Sequence, residues 1–175
     1  MEMPQAHHFI AIFVGMISVS FASIFVRLST SPPLVIATYR LGIASMILCP
    51  LTLYVGGLRG IMKLRIEEIL RLIVVGVVLA VHFGSWITSL NYTSVASSVI
   101  IVNVSPIFVA VMSYFILQEK ISLKAGLGVA LAFLGASIIA IGDADFGQGS
   151  IQGDAYAFLG ALMLAIYILS GRRIR

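Results

Sequence analysis

The stretch His82 to Lys120, HFGSWITSLNYTSVASSVIIVNVSPIFVAVMSYFILQEK, decides the fold of this chain, because it joins two membrane-length apolar runs through only a few polar residues. Runs of that length so closely linked form a membrane hairpin. Trp86, Asn103 and Pro106 then lie at depth. Lipid offers no hydrogen-bond partners, so backbone groups freed by a proline must find them in protein or in a water-lined cavity. The hairpin therefore predicts a polar path through a membrane protein.

Outward from the hairpin the same pattern continues. The chain is 60% hydrophobic and only 10% charged, with a mean hydropathy of +1.10; a soluble domain carries roughly 25% charged residues. Apolar windows of about 20 residues, the length that crosses a hydrocarbon core of roughly 30 Å, recur near Phe9 to Val26, Leu34 to Val55, Ile69 to Leu90, Thr93 to Leu117, Ala125 to Gly142 and Ala155 to Leu169. The expectation is an all-α polytopic membrane protein with six transmembrane helices and almost nothing left for a soluble domain. The first window lacks a basic n-region and a small-residue cleavage site, so it reads as a retained helix and not a signal peptide. A single cysteine, Cys49, excludes an intrachain disulfide and a cysteine-based metal cluster, and reads as an apolar filler.

The charges are topological. Arg59, Lys63, Arg65, Arg71, Lys120, Lys124, Arg172, Arg173 and Arg175 all fall on one side if the N-terminus does too. The other side receives the Asn91 turn and the acidic segment with Asp143, Asp145 and Asp154, with only Arg27 and Arg40 near it. The positive-inside rule makes the N-terminus and the Arg172 to Arg175 end cytoplasmic, in a multi-pass protein of the plasma membrane. The net charge of +4 does not imply nucleic acid, because the basic residues are scattered between apolar spans instead of clustered with aromatics on one face. Asn91 and Asn103 both match the glycosylation pattern, but one lies in a turn pressed against the membrane and the other inside a span.

An offset of 145 aligns Phe13 with Phe158, Gly15 with Gly160 and Arg27 with Arg172. A five-span unit that begins inside ends outside, so a second copy must be inverted, as in many secondary transporters. The expected organisation is a five-helix repeat over 9–142, an extracytoplasmic loop over 143–152 and the first helix of a second repeat over 153–175. By that logic a complete protein needs roughly 290 residues or more, and the chain reads as a fragment or a truncated product.

Several local signatures resemble the drug/metabolite transporter superfamily, specifically an EamA-type domain: Tyr39-Arg40 early in span two, SLNYTSVASS at Ser89 to Ser98, and Ser105-Pro106 in mid-span. Leu117-Gln118-Glu119-Lys120 closing span four, the glycine-rich fifth span and Gly153-Asp154 opening the sixth belong to the same likeness. The resemblance implies a ten-helix carrier of small metabolites built from two inverted five-helix repeats. The present chain corresponds to the first repeat plus one helix.

Candidate substrate-binding residues follow from what is costly in lipid. His82 and Trp86 stand four apart on one helix face and suit a polar or aromatic solute; the plainer alternative is that His82 bonds a neighbouring helix and Trp86 fills space. Asn103 lies within a turn of Pro106, whose expected role is a kink. Arg40 is read mainly as snorkelling to the head groups or as an internal ion pair, with a substrate carboxylate as the other reading. Tyr167, with Tyr156 and Met163, lies on a face of span six that lines a cavity or simply packs. Ser97 and Ser98 are weaker candidates because each can bond back to its own helix. Structural or gating positions are Pro106, Glu119, Gly128 and Gly135; Glu119 reads as a locally paired end charge, and the two glycines belong to a small-residue row that lets helices approach closely.

The spans contain no embedded acid, and His82 is the one group there that titrates near neutral pH. The favoured solutes are therefore neutral, zwitterionic or anionic metabolites. There is no HExxH helix and no GxSxG elbow, so an enzyme is not expected, and no cofactor or metal is called for. The function read from the sequence is transport of small metabolites by alternating access; the competing reading is a non-transporting assembly or regulatory subunit. The partners implied are a small-molecule metabolite and the lipid bilayer, no nucleic acid, and either a second copy of the chain or a missing second half.

Overall fold

A backbone in lipid must satisfy its N–H and C=O groups within itself, so each apolar window closes into a helix. The computed structural model describes residues 5–54, 60, 63–118, 122–145 and 150–173. Its helices are α1 (Gln5–Leu28), α2 (Pro33–Tyr54), α3 (Ile66–Tyr92), α4 (Val95–Val102), α5 (Ser105–Leu117), α6 (Leu123–Asp145) and α7 (Ile151–Arg173). Every expected span is helical, and α4 and α5 are two halves of one. Among the described residues, α2, α3, the α4–α5 unit and α7 are long and apolar enough to cross a membrane, while α1 and α6 contribute the shorter apolar stretches Ile12–Leu28 and Leu123–Gly135. The chain is an all-α membrane protein. The segment expected as a loop is partly helical, since α6 runs through Asp145 and α7 begins at Ile151.

Local chemistry sets the ends of the hairpin. At the start of α3 the Glu68 carboxylate accepts the Arg65 backbone N–H at 2.7 Å, and Glu67 adds a second acid to the positive end of the helix dipole. At its other end Thr93 turns extended while its N–H still reaches the Ser89 carbonyl at 2.9 Å. Ser94 then caps α4 by accepting the Ser97 N–H at 2.9 Å. The Leu90 carbonyl belongs to the last turn of α3, where helix carbonyls lose their own donors; the Arg27 guanidinium of α1 donates to it.

The expected kink is a full break. Asn103 and Val104 interrupt the helix, with Val104 N–H bonding only three residues back to Ile101 at 3.1 Å. Pro106 sits in the first turn of α5, where its missing N–H costs nothing. At the far end of α5, Gln118 adopts a left-handed conformation (φ 55°, ψ 29°) and its side-chain amide donates to the Phe115 carbonyl at 3.0 Å. Glu119 lies outside the described residues.

The hub of the bundle is α7. It packs most extensively against α3 and also against α4 and α5, while α1 and α2 flank α3 and α6 lies along α4. The reason is visible in its sequence: Gly153, Ala157, Ala161 and Ala165 recur every four residues, and the three alanines are wholly buried. Small residues in such a row let helix backbones approach closely. The approach is closest at Gly153, where a Cβ would stand 2.7 Å from the backbone of Tyr92 and Thr93, and it is tight at Gly160, where a Cβ would meet Trp86 at 3.4 Å. At Gly128 and Gly135 of α6, expected to serve the same purpose, a Cβ would meet no described atom within 4 Å. Trp86, Ile87, Leu90, Val26, Ala37, Val102 and Ala157 form the core, and large apolar side chains of α1, α2 and α6 point outward as lipid requires.

Candidate functional site

His82 and Trp86 stack, as their four-residue spacing predicts, with ring centroids 6.3 Å apart and planes within 6°. Both are buried. His82 Nδ1 lies 2.8 Å from the Gly160 carbonyl of α7, and a carbonyl can only accept. The proton therefore sits on Nδ1, leaving Nε2 of the neutral ring with a lone pair. Phe83 completes an aromatic cluster, its ring 4.9 Å from His82 and 6.3 Å from Trp86. The Trp86 indole N–H is buried without an acceptor.

Arg40 reaches this cluster from α2. Its guanidinium carbon lies 4.9 Å from the Phe83 centroid and 5.3 Å from that of Trp86, within cation–π range. Arg40, expected mainly to snorkel outward or pair with an internal acid, is half-buried over the rings, and no described residue forms an ion pair with it. The packing of α2 on α3 brings the guanidinium over this aromatic surface.

These side chains border one cavity of about 790 Å³, a volume ordinary for small-molecule sites. Five helices supply its wall: α1 brings Ser20 and Ser23, α2 Arg40, α3 His82 and Trp86, α4 with its C-cap Asn103, and α7 Leu164. Four of the five expected binding residues, Arg40, His82, Trp86 and Asn103, thus meet at one place. Tyr167 does not line it. Ser20 and Ser23 donate to carbonyls of their own helix, at 2.8 and 3.4 Å. Their hydroxyl protons are therefore committed away from the cavity.

A second polar group closes the end of the bundle beside the α3–α4 turn. Thr93 Oγ1 and Ser97 Oγ donate to the same Asp154 carboxylate oxygen at 2.9 and 3.0 Å. Ser89 donates to the Trp86 carbonyl at 2.6 Å, so the 2.6 Å contact between Ser89 and Ser98 has Ser98 as donor. Ser97 and Ser98 therefore bond across helices and not back into their own. No sequence pattern links Asp154 to residues some sixty positions earlier; the four-residue row that seats α7 against them was the readable signal. Asp154→Ala should lower the stability of the folded protein by about 1.5–3 kcal/mol, the range for hydrogen bonds to a charged acceptor. Asp154→Asn, which keeps an acceptor oxygen, should lose less. Unfolding midpoints in detergent compare the two.

A helical membrane bundle whose spans converge on a largely apolar cavity with a few polar side chains in its wall suits the binding of a small solute. The chain belongs to the EamA-like transporter family, whose model matches residues 8–141. It is similar to the uncharacterized transporter YyaM of Bacillus subtilis, with 26% identity over 147 residues, 78% of this chain and 46% of that protein. The uncharacterized transporter YetK of the same species is 30% identical over 79 residues, 45% of this chain and 23% of YetK. Protein LicB of Haemophilus influenzae is 34% identical over 61 residues, 35% of this chain and 21% of LicB. The chain spans about half the length of YyaM and a smaller share of the other two. No solved structure matches it.

Proposed function

We propose that this chain forms half of a small-metabolite carrier that works by alternating access, with the cavity bordered by Arg40, His82, Trp86 and Asn103 as its solute site. One observation carries the reading: Arg40, His82 and Asn103, from three separate spans, border one cavity in the bundle. Groups of this kind are costly in lipid and are retained where a solute uses them. The opposite wall comes from an inverted second repeat, supplied by further sequence or by a second copy, and α7 is its first helix. The five-span offset between α1 and α7 supports that arrangement. The basic flanks support a cytoplasmic N-terminus and an α3–α4 turn outside, in the plasma membrane.

Reconstitution tests the carrier reading. Liposomes containing the assembled protein and preloaded with a neutral, zwitterionic and anionic metabolite panel should show saturable counterflow of at least one solute. Counterflow of none overturns it.

A further inference from the structure

Resting on the cavity as the solute site, we propose that it takes singly charged organic anions, monocarboxylates, and that Arg40 is the residue that selects them. Among the described residues, Arg40 is the only one on the cavity wall that carries a fixed charge. A guanidinium is protonated at every pH a cell reaches, and no described carboxylate pairs with it. The two aromatic contacts hold the cation by its attraction to ring faces. They consume none of its N–H bonds. A fork of donors is thus held in position and left open, which is the geometry a carboxylate takes in bidentate pairing.

The rest of the wall narrows the class. Ser20, Ser23 and His82 Nδ1 already donate to backbone carbonyls, so the donors left among the described wall residues are the Arg40 guanidinium, the Asn103 amide and the buried Trp86 indole N–H, and of these only Arg40 carries charge. In the neutral ring His82 Nε2 carries no proton, so it offers a second carboxylate no donor. Charge balance points the same way: a monoanion neutralises the one fixed charge, a dianion leaves a net negative site, and a cation doubles the positive one. Unbalanced charge is costly in a low-dielectric interior. Ile12, Met16, Val19, Val99, Val102 and Leu164 make most of the remaining wall apolar, which suits an organic group and not a bare inorganic anion.

Trp86 is the single tryptophan of the chain, so its fluorescence reports on this site alone. The protein in lipid nanodiscs near neutral pH is titrated with benzoate, lactate, methyl benzoate, succinate, inorganic phosphate, glucose and ethanolammonium. Benzoate or lactate should give a saturable change, and methyl benzoate, which matches benzoate without its charge, should not. Arg40→Gln should weaken monocarboxylate binding by about tenfold to a hundredfold, the loss of a charged hydrogen-bond pair. Arg40→Lys, which keeps the charge but not the fork, should lose less. An equal response to methyl benzoate, tighter binding of succinate, phosphate, glucose or ethanolammonium, unchanged affinity in Arg40→Gln, or no response to any probe overturns the proposal. Counterflow with the same variants reconstituted in sealed liposomes separates the two readings. Monocarboxylate binding without movement keeps the anion site and removes the carrier; movement of neutral solutes alone keeps the carrier and removes the anion site.

Discussion

Gly153→Val should detach α7 from the bundle. A Cβ at this position would stand 2.7 Å from Thr93 N, Thr93 Cβ and Tyr92 C, and two of those three are backbone atoms that no rotamer change can move. Either α7 tilts away or the α3–α4 turn deforms, and both break the bonds from Thr93 and Ser97 to Asp154. Overpacking in a well-packed interior costs roughly 1–3 kcal/mol where side chains can yield. Here they cannot, so the expected loss is about 3 kcal/mol or more. Gly171→Val is the matched control: a Cβ there meets nothing within 4 Å, and stability should hardly change. Equal unfolding midpoints for the two variants would show that α7 does not seat as described.

The second large effect is expected at Trp86. Its indole stacks on His82, contacts Phe83 and lies under Arg40, while its Cβ and backbone N face Gly160 of α7, so Trp86 stands where three helices meet. Trp86→Ala should cost about 3–5 kcal/mol, the usual range for truncating a large buried aromatic. Trp86→Phe should cost far less. It keeps a ring under the guanidinium and removes a buried N–H that has no acceptor, a donor whose desolvation is otherwise unrepaid. Denaturant titrations read the difference, and a Trp86→Phe variant as unstable as Trp86→Ala would mean that the indole N–H has a partner after all.

The spans were legible because hydropathy at membrane length needs no tertiary information. So was the pairing of His82 with Trp86, since residues four apart on a helix always share a face. The break near Asn103 was signalled by Pro106. What sequence could not tell was which face of α2 turns inward. Arg40 reads mainly as a snorkelling end charge or an internal ion pair, with a substrate carboxylate as the other reading, until α2 is set against α3. The glycine rows show a different difficulty: α6 and α7 both carry small residues every four positions, and pattern alone cannot say which row has a neighbour. Asp154 was placed with the acidic segment beyond span five. Its service to Thr93 and Ser97 depends on how α7 returns to the hairpin, a relation between distant parts of the chain that no local spacing encodes.

The interruption at Asn103 and Val104 also divides the labour of one crossing. α4 is held by α1, α3, α6 and α7, whereas α5 has its main contact with α7 alone. Around Pro106 the helical ladder tightens to three-residue bonds, Val104 N–H to Ile101 and Ile107 N–H to Val104. The half-span from Ser105 to Leu117 therefore takes its seating mainly from α7, while the half before it is seated by four helices.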